Sequence, residues 1–148
     1  MKTLLLTIIF STSISITSYK SYNHQQSDDI LLDISYVIQT RGTYKQIMFS
    51  KDLILYSDII NNKKTSKKPP KDLWLKIHKS LNKLHLNELH KIKAPTNEKN
   101  RDVALTAYIE INLKNETTIT SSYFDHGNPP KELQSIVNIL LSHSQIMD

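Results

Sequence analysis

The chain has 148 residues, a formal net charge of +5 at pH 7, no cysteine and only two glycines, Gly42 and Gly127. The lack of cysteine excludes thiol catalysis, cysteine-based zinc sites and the lipid anchor of a lipoprotein. A Walker loop and a dinucleotide fingerprint each need at least two closely spaced glycines, so both classes of nucleotide-binding enzyme are excluded, and we expect no cofactor.

The N-terminal segment has the residue order of a secretion signal. Lys2 precedes a short apolar run at residues 4–10, and serine or threonine then alternates with isoleucine up to Ser18. The run is shorter than the about twenty residues that a transmembrane helix needs. The sequence therefore predicts a cleaved signal peptide at 1–18, a flexible leader at 19–29 and a single α+β domain at 30–148. An uncleaved membrane anchor is the alternative.

The first part of the predicted domain has the period of β-strands. Apolar and polar residues alternate around residues 34–39, and β-rich runs follow at 44–50 and 53–57, so we predict an antiparallel meander of three strands. Residues 61–68 are polar and basic and predict a loop. Pro69-Pro70 then predicts the start of a helix, and a further short helix fits residues 87–92.

The second part of the domain predicts a hairpin followed by a helix. Residues 104–113 alternate clearly, 114–116 can turn the chain, and 117–124 predict the partner strand. A second Pro-Pro pair at 129–130 then predicts the last helix. Residues 69–73 and 129–133 share the pattern Pro-Pro-Lys-acid-Leu, which indicates either a duplicated ββα unit or two helices that begin in the same favourable way.

Together these elements predict an α+β fold in which a five-stranded antiparallel sheet has two helices packed on one face, in the order βββ-α-ββ-α. We expect threonine, serine, tyrosine, glutamine and glutamate on the other face of the sheet, where an antiparallel sheet tolerates water. The expected core consists of Trp74, Ile77, Leu81, Leu105, Ile109, Ile111, Val137 and Leu141.

Asp125 and His126 are the candidate catalytic residues, because they lie between a strand end and a helix start. An aspartate beside a histidine can orient the imidazole for acid–base chemistry. The alternative is turn chemistry, in which Gly127 adopts a positive φ and Asn128 caps the last helix. No serine lies in a nucleophile motif that would complete a triad.

A run of lysines is the candidate binding surface. Five cations occur within nine residues with no acid among them: Lys63, Lys64, Lys67, Lys68 and Lys71. Such a run can attract an anionic glycan, a lipid headgroup or an envelope protein, or it can simply be a solvated patch. It lacks the interleaved aromatic residues that stack on bases, so we expect no nucleic-acid partner.

His85, Glu88 and His90 suggest a zinc site at first sight. The two histidines are five residues apart, however, and lie about 140° apart around a helix rather than on one face. We therefore expect these residues to be structural and predict no metal site.

Residues 36–45 contain Thr-Arg-Gly-Thr-Tyr-Lys, and residues 122–133 contain Phe-Asp-His-Gly-Asn-Pro-Pro-Lys-Glu-Leu. With Trp74 and the loop at 93–96, these segments resemble small exported proteins of unknown function from Bacteroidetes-type bacteria. The resemblance implies export and an α+β fold but supplies no mechanism. We therefore favour a non-enzymatic binding or interaction module of the periplasm or cell exterior, and the alternative is a hydrolase-like enzyme centred on Asp125 and His126.

Overall fold

The computed structural model describes residues 30–96 and 104–144. The predicted signal peptide at 1–18 and the leader at 19–29 lie outside the described residues. Within the two described ranges, no helix is long and apolar enough to cross a membrane.

Within the described residues, seven strands form one antiparallel sheet. They are β1 (Leu31–Thr40), β2 (Thr43–Ser50), β3 (Ile54–Asp58), β4 (Lys63–Lys67), β5 (Thr106–Leu113), β6 (Thr118–Thr120) and β7 (Phe124–Asp125). Six strands lie in the order β4-β3-β2-β1-β5-β6, and the short β7 pairs with β5. The long strands β1 and β5 are neighbours in the middle of the sheet, so they form its framework.

Residues 30–96 and 104–144 also contain three helical segments: α1 (Leu73–Leu81), a 3-10 helix (Leu86–Lys91) and α2 (Gln134–Ser142). Each Pro-Pro pair forms a turn that leads into a helix, because the Leu73 amide donates to Pro70 at 3.1 Å and the Leu133 amide donates to Pro130 at 2.9 Å. The helices therefore begin three and four residues after the second proline.

The mixed α and β character agrees with the sequence, but the predicted five-stranded sheet and its element order are wrong. Residues 61–68 contain strand β4 instead of a loop, and the predicted strand at 117–124 is divided between β6 and β7. Hydrophobic periodicity did not predict β4, because this strand lies at the sheet edge and has almost no buried side chain. Lysines on an exposed edge strand also oppose pairing with other chains.

The core lies between the sheet and the helices. Ile34 and Tyr36 of β1 lie opposite Ile111 and Ile109 of β5 in the strand register, and all four are buried. Buried residues of both helices join the same cluster: Leu73, Ile77, Leu81, Ile136, Val137 and Leu140.

Three members of the expected core differ from the prediction. Leu105 is 41% exposed, because it precedes the first residue of β5 and is not held by the strand. Trp74 and Leu141 pack against the core but are only partly buried, since each lies at the margin of its helix's apolar face.

Candidate functional site

The geometry of the Asp125–His126 pair follows from the alternation of side chains along a strand. Asp125 pairs with Thr106 and Phe124 pairs with Ala107, so Phe124 enters the core and Asp125 faces the other side of the sheet. The Asp125 carboxylate accepts a hydrogen bond from the Thr96 hydroxyl. His126 instead returns to the core side and contacts Tyr36. The carboxylate is therefore not in a position to orient the imidazole.

His126 is the partner of a fully buried tyrosine. Its Nδ1 lies 3.0 Å from the hydroxyl oxygen of Tyr36, and the two ring centroids are 5.8 Å apart. Burial raises the pKa of Tyr36 to about 12, although a hydrogen bond from the Gly127 backbone opposes this effect. Burial, followed by the positive charge of Lys45, lowers the pKa of His126 below its ordinary value of 6.5. Both rings are therefore neutral at pH 7 and joined by a hydrogen bond, which is a structural arrangement.

The rest of this turn also has a conformational role. Gly127 has a φ of +82°, as the sequence predicted, and an L-residue with a side chain rarely adopts that angle. The prediction that Asn128 caps the last helix is wrong, because α2 begins only at Gln134 after an intervening turn. The Asn128 amide donates instead to the Thr96 hydroxyl at 3.0 Å. Asn128 and Asp125 therefore both hydrogen-bond to the Thr96 hydroxyl and connect this turn to the segment that contains Thr96.

The five lysines of the predicted patch do not form a single surface. Lys63 pairs with Asp58 at one end of β4, and Lys67 pairs with Ile54 at the other end, about 13 Å away at the rise of a strand. Lys64 faces the opposite side of the sheet from both of them. Lys64 lines a small hollow beside Asp58, whereas Lys68 and Lys71, which flank the first Pro-Pro pair, line a different and larger concave region.

That concave region, here called the basic groove, lies at the end of the sheet where β1 begins and β2 ends. Its volume is about 760 Å³. Lysines from three different parts of the chain surround it: Lys51, Lys68, Lys71 and Lys114. Asp52 is the one carboxylate in its lining, and among residues 30–96 and 104–144 no salt bridge engages the four lysines. The basic groove therefore carries a local excess of positive charge.

Apolar side chains lie between these lysines. Leu32 is 52% exposed and Leu75 is 51% exposed, and both line the groove with the partly buried Trp74. The Trp74 ring meets the ring of the buried His78 edge-on, with centroids 5.0 Å apart, which fixes the indole at the groove. The basic groove thus combines cationic and apolar groups.

The sheet face opposite the core is the face that the sequence predicts to be polar. Its polar groups bond mainly to one another: the Tyr44 and Tyr108 hydroxyls are 3.4 Å apart, and the Gln46 amide donates to the Ser35 hydroxyl at 3.0 Å. Burial raises the pKa of Tyr108, and its ring packs edge-on against Tyr123 at 5.0 Å. These internal contacts make the face less suited than the basic groove to recognise a partner.

The zinc hypothesis gains no support from the positions of its residues. His85, Glu88 and His90 are exposed on and beside the 3-10 helix. In the part of the chain that the structure describes, no three histidine, aspartate or glutamate side chains are grouped as metal ligands would be.

Sequence reasoning missed several residues of these two regions. Lys51 and Lys114 are isolated in sequence and become part of a cluster only because their turns lie at the same end of the sheet. Tyr36 was assigned to the sheet, but its bond to a histidine ninety positions away has no local sequence signal. Leu75 could have been identified, because it interrupts the polar face of an amphipathic helix.

The comparisons with known proteins identify no relative. No family model, no curated protein and no solved structure matches the chain. The resemblance to exported Bacteroidetes-type proteins therefore stays a prediction.

Proposed function

We propose that this chain is an exported, non-enzymatic binding module that takes an anionic partner in the basic groove. The observation that carries the proposal is the convergence of four lysines with one carboxylate around a single concave surface. The order of residues at 1–18 supports export to the periplasm or cell exterior.

The charges of the groove support recognition of an anion in two ways. Lysines on one concave surface reinforce one another's field, which raises the local concentration of anions and their association rate. Each lysine near an anionic surface contributes about 1 kcal/mol, and salt screens this contribution over about 10 Å at 0.1 M ionic strength. Binding should therefore weaken steeply as salt is added.

The hydrolase alternative has less support, because its two residues diverge. Asp125 bonds to Thr96 on one side of the sheet, whereas His126 bonds to Tyr36 on the other. The low proton affinity of His126 is explained by its burial and by Lys45, without a catalytic role.

The experiment compares two lysines of the groove with two exposed lysines outside it. Heparin, an anionic glycan, and inorganic phosphate serve as probes, and binding is followed by NMR titration and by retention on immobilised heparin. We expect the double variant Lys68→Gln/Lys71→Gln to bind heparin much more weakly than the wild type. Lys79→Gln/Lys131→Gln is the matched control, because it removes the same number of charges from two exposed lysines that lie outside the groove.

Equal loss of binding in the groove variant and in the control would contradict the proposal, since it would reflect net charge alone. Hydrolysis of a simple ester probe by the wild type, abolished in a folded His126→Gln protein, would support the hydrolase alternative instead.

A further inference from the structure

We infer that the basic groove docks this protein onto a lipid bilayer containing anionic phospholipid, with Leu32, Trp74 and Leu75 entering the headgroup region. The groove lysines then contact lipid phosphates. This inference rests on the proposed function and identifies its anionic partner as a membrane surface.

Leu32 is directed outward by an irregularity in β1. The register between β1 and β5 shifts between Leu31 and Asp33, so that Leu31 pairs with Leu113 and Asp33 with Asn112. Leu32 is the extra residue of this bulge and has no partner on β5, and bulges are a common device for redirecting a side chain. The bulge therefore presents a leucine to solvent at the groove.

Leu75 has no role in the core of its own helix. Leu73, Ile77 and Leu81 form the buried side of α1, and Leu75 lies outside it. The second Pro-Pro-Lys segment provides an internal comparison, because Ser135 is the exposed residue at the position equivalent to Leu75. Gln134 likewise corresponds to Trp74. The two segments thus share the turn at the Pro-Pro pair and differ where the first one borders the groove.

The combination of charges and apolar groups selects a bilayer over a wholly polar anion. The lysines alone could bind a glycan or a free phosphate, and the two exposed leucines would then remain in water. A bilayer of anionic lipid satisfies both sets, because lysines bind the headgroups while apolar side chains enter the boundary with the acyl chains. The apolar surface also extends to Ile30, which is 41% exposed and whose carbonyl accepts the amide of Lys114.

Vesicle binding by the exported protein, purified as the cell processes it, tests the inference. The probes are vesicles of phosphatidylcholine alone and vesicles with one phosphatidylglycerol for every two phosphatidylcholine molecules. Trp74 is the chain's single tryptophan and reports directly from the groove. We expect sedimentation with the anionic vesicles only, a blue shift of tryptophan emission, and release of the protein by salt.

Single substitutions test the apolar and the cationic side chains of the groove separately. Leu75→Ser should weaken vesicle binding about fivefold, which corresponds to about 1 kcal/mol, and Lys71→Gln should do the same. Ile60→Ser is the matched control, because Ile60 is 59% exposed but follows β3 at the other end of the sheet. We expect that control to bind like the wild type.

The outcomes distinguish this inference from the proposed function. One outcome is that heparin binding depends on Lys68 and Lys71, while Leu75→Ser binds vesicles like the wild type and vesicles do not shift the tryptophan emission. The membrane inference then fails and the anion-binding proposal stands. If neither heparin nor vesicles respond to the lysine variants, both fail. Equal binding to neutral vesicles, or self-association through the groove without lipid, also overturns the inference.

Discussion

Replacement of His126 by alanine tests whether the turn after β7 is structural, because its imidazole bonds to the buried hydroxyl of Tyr36. The hydroxyl oxygen and Nδ1 are 3.0 Å apart, and the tyrosine side chain has no exposed surface. The turn interpretation drawn from the sequence assigned roles to Gly127 and Asn128 but none to His126. The structure adds a structural role for the imidazole.

The expected magnitude follows from the hydrogen bonds that each variant loses. His126→Ala leaves the buried Tyr36 hydroxyl with only its hydrogen bond from the Gly127 backbone. Loss of a partner in a buried site typically costs about 1–3 kcal/mol, and we expect about 2 kcal/mol in the free energy of unfolding. Tyr36→Phe leaves Nδ1 on a half-buried ring that water can still reach, so we expect about 1 kcal/mol. The double variant should lose about 1 kcal/mol less than the sum of the two, because the same bond is counted in both.

Thermal and urea denaturation of the wild type, the two single variants and the double variant measure this coupling. A loss of about 2 kcal/mol should lower the melting temperature by roughly 8 °C in a domain of this size. His85→Ala is the control, because His85 is exposed and makes no side-chain cap bond, and we expect less than about 0.5 kcal/mol. Additive losses, or a His126→Ala protein as stable as the wild type, would refute the reasoning.

Four further predictions concern stability and processing. As the pH falls below about 6.5, the free energy of unfolding should decrease. The pKa of His126 is lower in the folded than in the unfolded chain, so the unfolded chain binds a proton at this histidine first and is favoured. In thermal melts at a series of pH values, His126→Gln should reduce this dependence. Gly127→Ala should cost about 1 kcal/mol in urea denaturation through its positive φ alone, since no atom lies within 4 Å of the added carbon. Trp74→Ala should cost less than the about 3–5 kcal/mol typical of a fully buried aromatic, because Trp74 is only partly buried, and an unchanged melting curve would contradict its contact with the core. Mass spectrometry of exported material should place the N-terminus between Ile16 and Ser21, and recovery of the intact chain from membranes would contradict a cleaved signal.

Parts of the fold with a buried face could be predicted from sequence, and parts without one could not. Ile34, Tyr36 and Ile38 alternate because one side of β1 packs on the core, so the period of two is visible in the residues themselves. Strand β4 has the composition Lys-Lys-Thr-Ser-Lys and contributes no core residue. Its pairing with β3 is specified by the short β3–β4 turn and by backbone hydrogen bonds, which leave no hydrophobic pattern to detect.

The candidate sites were limited by a similar difficulty, because adjacency in sequence is a poor guide to direction in space. Asp125 is the last residue of β7 and His126 is the first residue of the turn after it, and the two side chains lie on opposite faces of the sheet. The lysine run is continuous in sequence, yet a strand through it separates Lys63 from Lys71. The cations that do converge come from turns that are distant in sequence and share one end of the sheet.

The two ends of the sheet therefore have different characters. At the end that carries His126, the imidazole and the Tyr36 hydroxyl satisfy one another, and burial keeps both rings neutral at pH 7. The opposite end, roughly 30 Å away along the ten residues of β1, keeps its lysines and leucines directed to solvent. Exposed leucines and unpaired cations do not stabilise the folded chain, whereas the buried pair does. Stability accounts for the Tyr36–His126 pair, and the proposed binding of an anionic membrane is what would account for the exposed groups of the basic groove.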